Sequence, residues 1–186
     1  MRGRWLIGLL PLALSACGYN TIQSYDERAN SAKQQIEVQL QRRADLVPNL
    51  VETVRGQAKQ ELEVFTQVAR ARSGLVDAIQ RGDPREMAQA NEQLTGAMRG
   101  LMIQVEAYPQ LKSDQAFLRL QDELTGTENR IAVARTDYNG AVETYNTYIR
   151  RFPQVLTAKV TGAKPREYFE VQNESAREAP KVDFNK

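Results

Sequence analysis

The chain has 186 residues, of which 41% are hydrophobic and 26% are charged, and this composition suits one folded domain and excludes global disorder. It contains no His and a single Cys, which excludes His-based catalytic triads, His-ligated zinc sites, CxxC redox pairs and intramolecular disulfides. No constellation of residues predicts a reaction, a cofactor or a metal site.

The N-terminus has the features of a bacterial lipoprotein signal peptide. Two arginines precede an apolar run from Trp5 to Leu14, which is shorter than the roughly 20 residues that a membrane-spanning helix needs. The run leads into Leu-Ser-Ala-Cys at residues 14–17, which resembles the lipobox, where the Cys is acylated and becomes the new N-terminus. We therefore predict a signal peptide over residues 1–16 and lipid attachment at Cys17. The alternative is an ordinary signal peptide that is cut nearby, with Cys17 unmodified.

Removal of residues 1–16 changes the charge balance of the chain. It takes away two arginines and no acidic residue, so that 23 basic residues face 23 acidic ones. The mature chain as a whole is therefore expected to have no electrostatic footprint for nucleic acid or for anionic lipid. Acyl chains on Cys17 are the expected link to membrane lipid. Gly18 after the Cys, in place of Asp, resembles the sorting signal for the outer membrane in a bacterium that has two membranes.

Between about Thr21 and Phe152 the sequence predicts helices alone. Apolar residues recur there at steps of three and four among the helix formers Ala, Leu, Glu, Gln and Arg. The first predicted helix ends in a turn at Asp45–Pro48, where Asp45 would cap a second helix and Pro48 would occupy its first turn. One long helix that is kinked at Pro48 is the alternative.

The clearest helix boundary is the sequence Gly-Asp-Pro-Arg-Glu at residues 82–86. The Gly suits the left-handed position that ends a helix, and the Asp suits the N-cap of the next helix. The Pro fits the first helical position, and the Glu can complete a capping box. Pro109 then ends the third predicted helix, Ser113 or Asp114 opens the fourth and longest one, and Pro153 ends that helix.

Four amphipathic helices on short connections predict an all-α fold, an elongated antiparallel up-and-down four-helix bundle. At 1.5 Å per residue the second and fourth helices would span about 50 to 60 Å and the first and third about 30 to 40 Å, so that the long pair would overhang. The bundle is predicted over residues 17–171, including a short docked segment past Pro153. A polar, disordered tail is predicted over residues 172–186.

Three segments carry a resemblance to the LemA family of bacterial envelope proteins: VQLQRRADLVPNLVETV at 38–54, TENRIAVARTDYN at 127–139 and YNTYIRRFP at 145–153. The resemblance extends from about Tyr19 to Phe169. It implies a helical bundle outside the cytoplasm, usually held by an N-terminal transmembrane helix, with no established enzymatic activity. This sequence departs from that pattern at its start, where a lipobox stands in place of a membrane span.

Polar residues before Pro48 and along the fourth predicted helix form a candidate interaction seam. Its members are Arg42, Arg43, Asp45, Glu128, Asn129 and Arg130. In one interpretation the seam recognises a peptide, a polar ligand or a partner helix, with Arg42 or Arg130 gripping a carboxylate through two hydrogen bonds. In the other, these side chains cap helices, pair along them and fix the register of the bundle.

Two functional hypotheses follow. In the first, the protein is a non-enzymatic, lipid-anchored scaffold or adaptor that faces the periplasm and binds an unidentified envelope protein, or a second copy of itself, through its helix faces. In the second, it is the regulatory subunit of an envelope hydrolase, or is itself a protease or cell-wall enzyme, with carboxylates or Tyr in a groove. The absence of His, and of a nucleophile beside a recognisable base, favours the first.

Overall fold

The computed structural model describes residues 6–58 and 62–170, with side chains from residue 18 onward. The side chain of Cys17, the side chains of the predicted signal peptide and the predicted tail at 172–186 lie outside the described residues. Lipid attachment, signal peptide and tail therefore stay predictions.

Six helices make up most of the described chain: α1 (Leu6–Arg55), α2 (Leu62–Arg81), α3 (Pro84–Val105), α4 (Pro109–Lys112), α5 (Gln115–Arg150) and α6 (Gln154–Thr161). Helices α1, α2, α3 and α5 alternate in direction and pack as an antiparallel four-helix bundle, which confirms the predicted fold class. The single turn α4 connects α3 to α5, and α6 packs on the end where α1 enters the bundle. Within the described ranges no helix is both long enough and apolar enough to cross a membrane.

The predicted turn at Asp45–Pro48 is wrong, and α1 continues through Pro48 to Arg55. Proline has no N–H to donate to the carbonyl four residues back, which here belongs to Ala44. The Arg72 Nε of α2 donates to that carbonyl instead, at 2.7 Å. A donor from the neighbouring helix thus replaces the missing helical hydrogen bond, and the chain turns only after Arg55, where Gly56 has a low helix propensity.

This continuity changes which helices are long. Helix α1 has 50 residues and α5 has 36, whereas α2 has 20 and α3 has 22. The overhanging pair is therefore α1 with α5 and not the predicted second and fourth helices. Helix α1 also begins earlier than Thr21, since the Leu- and Ala-rich residues from Leu6 onward favour a helix.

Two predicted helix starts are confirmed. Gly82 is left-handed, with a φ of 71°, and the carboxylate of Asp83 accepts the first free amides of α3 at 2.8 and 3.0 Å. Asp114 caps α5 in the same way, at 2.7 and 3.1 Å. The capping box is only half formed, because the Glu86 carboxylate pairs with Arg81 of α2.

The core consists of the facing apolar stripes of α1, α2, α3 and α5, and it extends from Ala29 to Phe169. A smaller cluster of Ile22, Tyr145, Ile149 and Ala158 closes the end where α6 packs. Every core side chain that the structure describes lies at Ile22 or beyond, so a chain that begins at residue 17 keeps all of them.

Candidate functional site

Arg43 lies at the centre of the bundle and links three helices. Its side chain is only 3% exposed although it carries a full positive charge. Nη1 donates to Asn91 Oδ1 of α3 at 2.7 Å, and Nη2 donates to Glu128 Oε1 of α5 at 2.5 Å. The two bonds hold α3 and α5 against α1 at one level of the bundle and fix the register of these helices.

Burial lowers the pKa of the Arg43 guanidinium, and the nearby Glu128 carboxylate opposes that shift in part. The third donor of the group, Nε, is buried without a hydrogen-bond partner. Two small cavities of about 260 and 200 Å³ flank the Arg43–Glu128 pair in the seam between α3 and α5, and Thr95 lines both. The site therefore has a buried cation with one unused donor beside two small pockets.

Arg130 lies on a different face, between α1 and α5, where its Nε donates to Gln39 Oε1 at 3.1 Å. It borders an open groove of about 630 Å³ that residues of α1 and α5 alone line. Val38 and Val133 project into the groove from opposite sides, and each is 62% exposed. We call this feature the α1–α5 groove.

The predicted seam residues do not form one continuous site. Arg43 and Glu128 meet in the core, whereas Arg130 and Asn129 line the α1–α5 groove. The exposed Asp45 accepts a hydrogen bond from Gln41 at 2.9 Å, and the exposed Arg42 joins neither site. Nothing is described of the Cys17 side chain, and the described residues include no group of three or more Cys, Asp or Glu that could hold a metal ion.

Two asparagines of α5 hold an extended C-terminal segment, residues 163–170, which we call the strap. Asn146 Nδ2 donates to the carbonyl of Arg166 at 2.9 Å, and the Arg166 amide donates to Asn146 Oδ1 at 2.8 Å. One heptad earlier, Asn139 makes the same pair of bonds with Phe169, at 3.4 and 2.9 Å. The buried Asn146 is a polar residue within an apolar stripe, and that break in the pattern was the signal for a specific partner.

A salt bridge and a hydrogen bond secure the strap further. The Arg166 guanidinium donates to both oxygens of Asp26 in α1, at 2.7 and 2.9 Å, and this pairing raises the pKa of Arg166. The hydroxyl of Tyr138 donates to the carbonyl of Glu167 at 2.8 Å, and burial raises the pKa of Tyr138 to about 12. Because 140 residues separate Asp26 from Arg166, no local pattern in the sequence predicts their contact.

Comparison with known proteins gives the following similarities. The sequence matches the model of the LemA family over residues 32–184. Magnetosome protein MamQ 1 and MamQ 2 of Paramagnetospirillum magneticum are each 29% identical to it over 178 residues, and magnetosome protein MamQ of Magnetospirillum gryphiswaldense is 31% identical over 174 residues. The alignments cover 82% and 81% of this chain but only 64% of the length of these relatives.

Proposed function

Because the chain belongs to the LemA family, we propose that it is a lipid-anchored, non-enzymatic scaffold of the bacterial cell envelope. Family membership and the likeness to magnetosome proteins support a membrane-associated envelope protein. The anchor at Cys17, the periplasmic orientation and the adaptor role are our proposals, and they rest on the lipobox resemblance and on the surface of the bundle.

The α1–α5 groove is the observation that carries the adaptor role. Val38 and Val133 are apolar and largely exposed, and uncharged polar residues such as Gln34 and Gln35 surround them. A groove of this kind between two parallel walls fits an amphipathic helix, whose apolar residues would contact the two valines. Arg130 and Asp137 at its margins offer one charge of each sign, which would orient that helix.

Around Arg43 and along the strap, by contrast, the polar groups already bind one another. Arg43 is satisfied by Asn91 and Glu128 at two of its three nitrogens, and Asn139 and Asn146 bind the strap. We infer that these groups stabilise the bundle, and we assign them no catalytic step. The partner is proposed to be a helix of another envelope protein, with a second copy of this chain as the alternative outcome.

Photo-crosslinking in intact cells tests the proposal. A benzoylphenylalanine at position 38 or 133 is expected to capture one discrete protein, whereas the same group at Ile103 of α3 is expected to capture none. Ile103 is the matched control because it is also 62% exposed. Equal capture at all three positions, or none in the groove, would contradict the adaptor role.

The anchor is tested separately. Mass spectrometry of the N-terminal peptide is expected to show an acylated Cys17, and Cys17→Ser is expected to move the protein out of the membrane fraction. An unmodified thiol on membrane-bound protein would refute lipid attachment at this residue.

A further inference from the structure

Helix α6 carries an apolar face that nothing in the described structure covers. Phe152 is 80% exposed, Leu156 is 56% exposed and Val160 is 88% exposed. A step of four residues places the side chains of Leu156 and Val160 on one face of α6, and the exposed Phe152 lies just before the start of the helix. The opposite face packs through the buried Ala158 on the small core cluster. Isolated exposed apolar residues are common in proteins, but three large ones within nine residues, two of them on one face of a docked helix, favour an interaction surface.

This face lies beside the start of the predicted mature chain. The backbone of Gly18 is so close to α6 that a methyl group on its Cα would lie 3.4 Å from the Thr157 hydroxyl. Gly18 directly follows Cys17, the proposed site of lipid attachment. If the proposed anchor is correct, α6 therefore lies beside the acylated residue, at the end of the bundle that faces the bilayer.

The segment that contains α6 carries charges of one sign. Residues 144–166 contain five basic residues and no acidic one. Arg166 is bound to Asp26, but Arg150, Arg151, Lys159 and Lys164 are exposed, and none of the four makes a salt bridge within the described part of the chain. The neutral balance of the whole mature chain thus conceals a positive segment, in which each exposed Lys or Arg would strengthen binding to an anionic lipid surface roughly fivefold.

We propose that α6 is a second membrane contact that binds the anionic surface of a bilayer. Phe152, Leu156 and Val160 insert at the boundary between headgroups and acyl chains, and the exposed Lys159 and Lys164 bind anionic headgroups. The proposal rests on the membrane attachment of the proposed function for the orientation of the molecule. It does not require acylation for the affinity of α6 itself, so the two are tested apart.

A tryptophan reporter tests the contact. The sequence has one Trp, at position 5, so a chain that begins at residue 17 and carries Cys17→Ser contains none, while it keeps every described core residue. In this chain Phe152→Trp provides the reporter, and Ile103→Trp provides a second exposed site at the opposite end of the bundle. Each is mixed with vesicles of phosphatidylcholine containing 30% phosphatidylglycerol, and with vesicles of phosphatidylcholine alone.

The expected result is a blue shift of the Phe152→Trp emission, and quenching by brominated acyl chains, with the anionic vesicles and not with Ile103→Trp. Lys159→Glu with Lys164→Glu is expected to weaken vesicle binding at least tenfold, and Leu156→Ser with Val160→Ser likewise, whereas Ile103→Ser, at an exposed apolar residue of α3, is expected to leave it unchanged. Circular dichroism and a melting curve show that each variant is folded.

Equal signals from both reporters, or no signal from Phe152→Trp, would overturn the proposal. A blue shift without lipid, accompanied by a dimer in sedimentation velocity, would overturn it in favour of a second copy as the occupant. Acylation of Cys17 is measured on the natural protein, so a failed anchor and a failed α6 contact give different results.

Discussion

The hydrogen bond from Arg72 to the Ala44 carbonyl explains how α1 continues through Pro48, and a double-mutant cycle measures it. Arg72→Met keeps most of the apolar stem and removes the donor. The carbonyl of Ala44, a completely buried core residue, then lacks a hydrogen-bond partner. The hydrogen bond that it loses is a strong one, because the donor is a charged guanidinium. The expected loss is about 1.5 to 3 kcal/mol in the free energy of unfolding. Each kcal/mol lost is expected to lower Tm by about 2 to 4 °C.

The same substitution should cost much less when Pro48 is replaced by Ala. The new amide at position 48 can donate to the Ala44 carbonyl as in an ordinary helix. The cost of Arg72→Met is then expected to fall by about 1 to 2 kcal/mol, and this difference is the coupling energy of the cycle.

Urea unfolding, followed by circular dichroism at 222 nm, gives the four values that the cycle requires. Arg70→Met is the control, because Arg70 is exposed on the same helix and is expected to change stability by less than about 0.5 kcal/mol. A coupling energy below about 0.3 kcal/mol would refute the role given to Arg72.

Glu128→Ala is expected to destabilise the bundle by about 1 to 3 kcal/mol, and Arg43→Met by less, since the first leaves a buried cation unpaired and the second removes it; urea midpoints in the reverse order would contradict this. The stability of the protein should fall as the pH rises from 10 towards 12, because the pKa of Tyr138 is about 12 in the folded state and about 10 in the unfolded state. The unfolded chain therefore loses the phenol proton first, which favours unfolding. Tyr138→Phe lacks this contribution, so parallel pH profiles of the two proteins in denaturant titrations would sink the explanation. Asn146→Ala is expected to speed amide hydrogen exchange of Arg166 by at least tenfold, and unchanged exchange by NMR would mean that other contacts hold the strap.

The apolar spacing and the helix caps could be predicted from the sequence because both depend on neighbouring residues. Asp83 and Asp114 cap helices through amides two and three residues away, and the stripes repeat within one helix. The course of the chain at Pro48 could not be predicted in this way. Whether Pro48 ends a helix depends on Arg72, which lies in another helix and is close to Ala44 only after folding.

The candidate site shows the same limit. The family resemblance and the polar pattern indicated Arg43, Glu128 and Arg130, and the structure brings the first two into contact. It places Arg130 in a separate groove, because Arg130 is two residues after Glu128 and residues two apart on a helix point to nearly opposite sides. The positive segment around α6 could not be found from the net charge of the whole chain, because a net charge does not show where the charged residues lie.

The two asparagines hold the strap through its main chain, and this has a consequence for variation among related proteins. Asn139 and Asn146 bind amide and carbonyl groups that every residue type except proline provides in full. The two latches therefore do not depend on the type of side chain at 166 and 169, but a proline at either position would remove the amide donor of one latch. Homologues that keep both asparagines should avoid proline at these two positions.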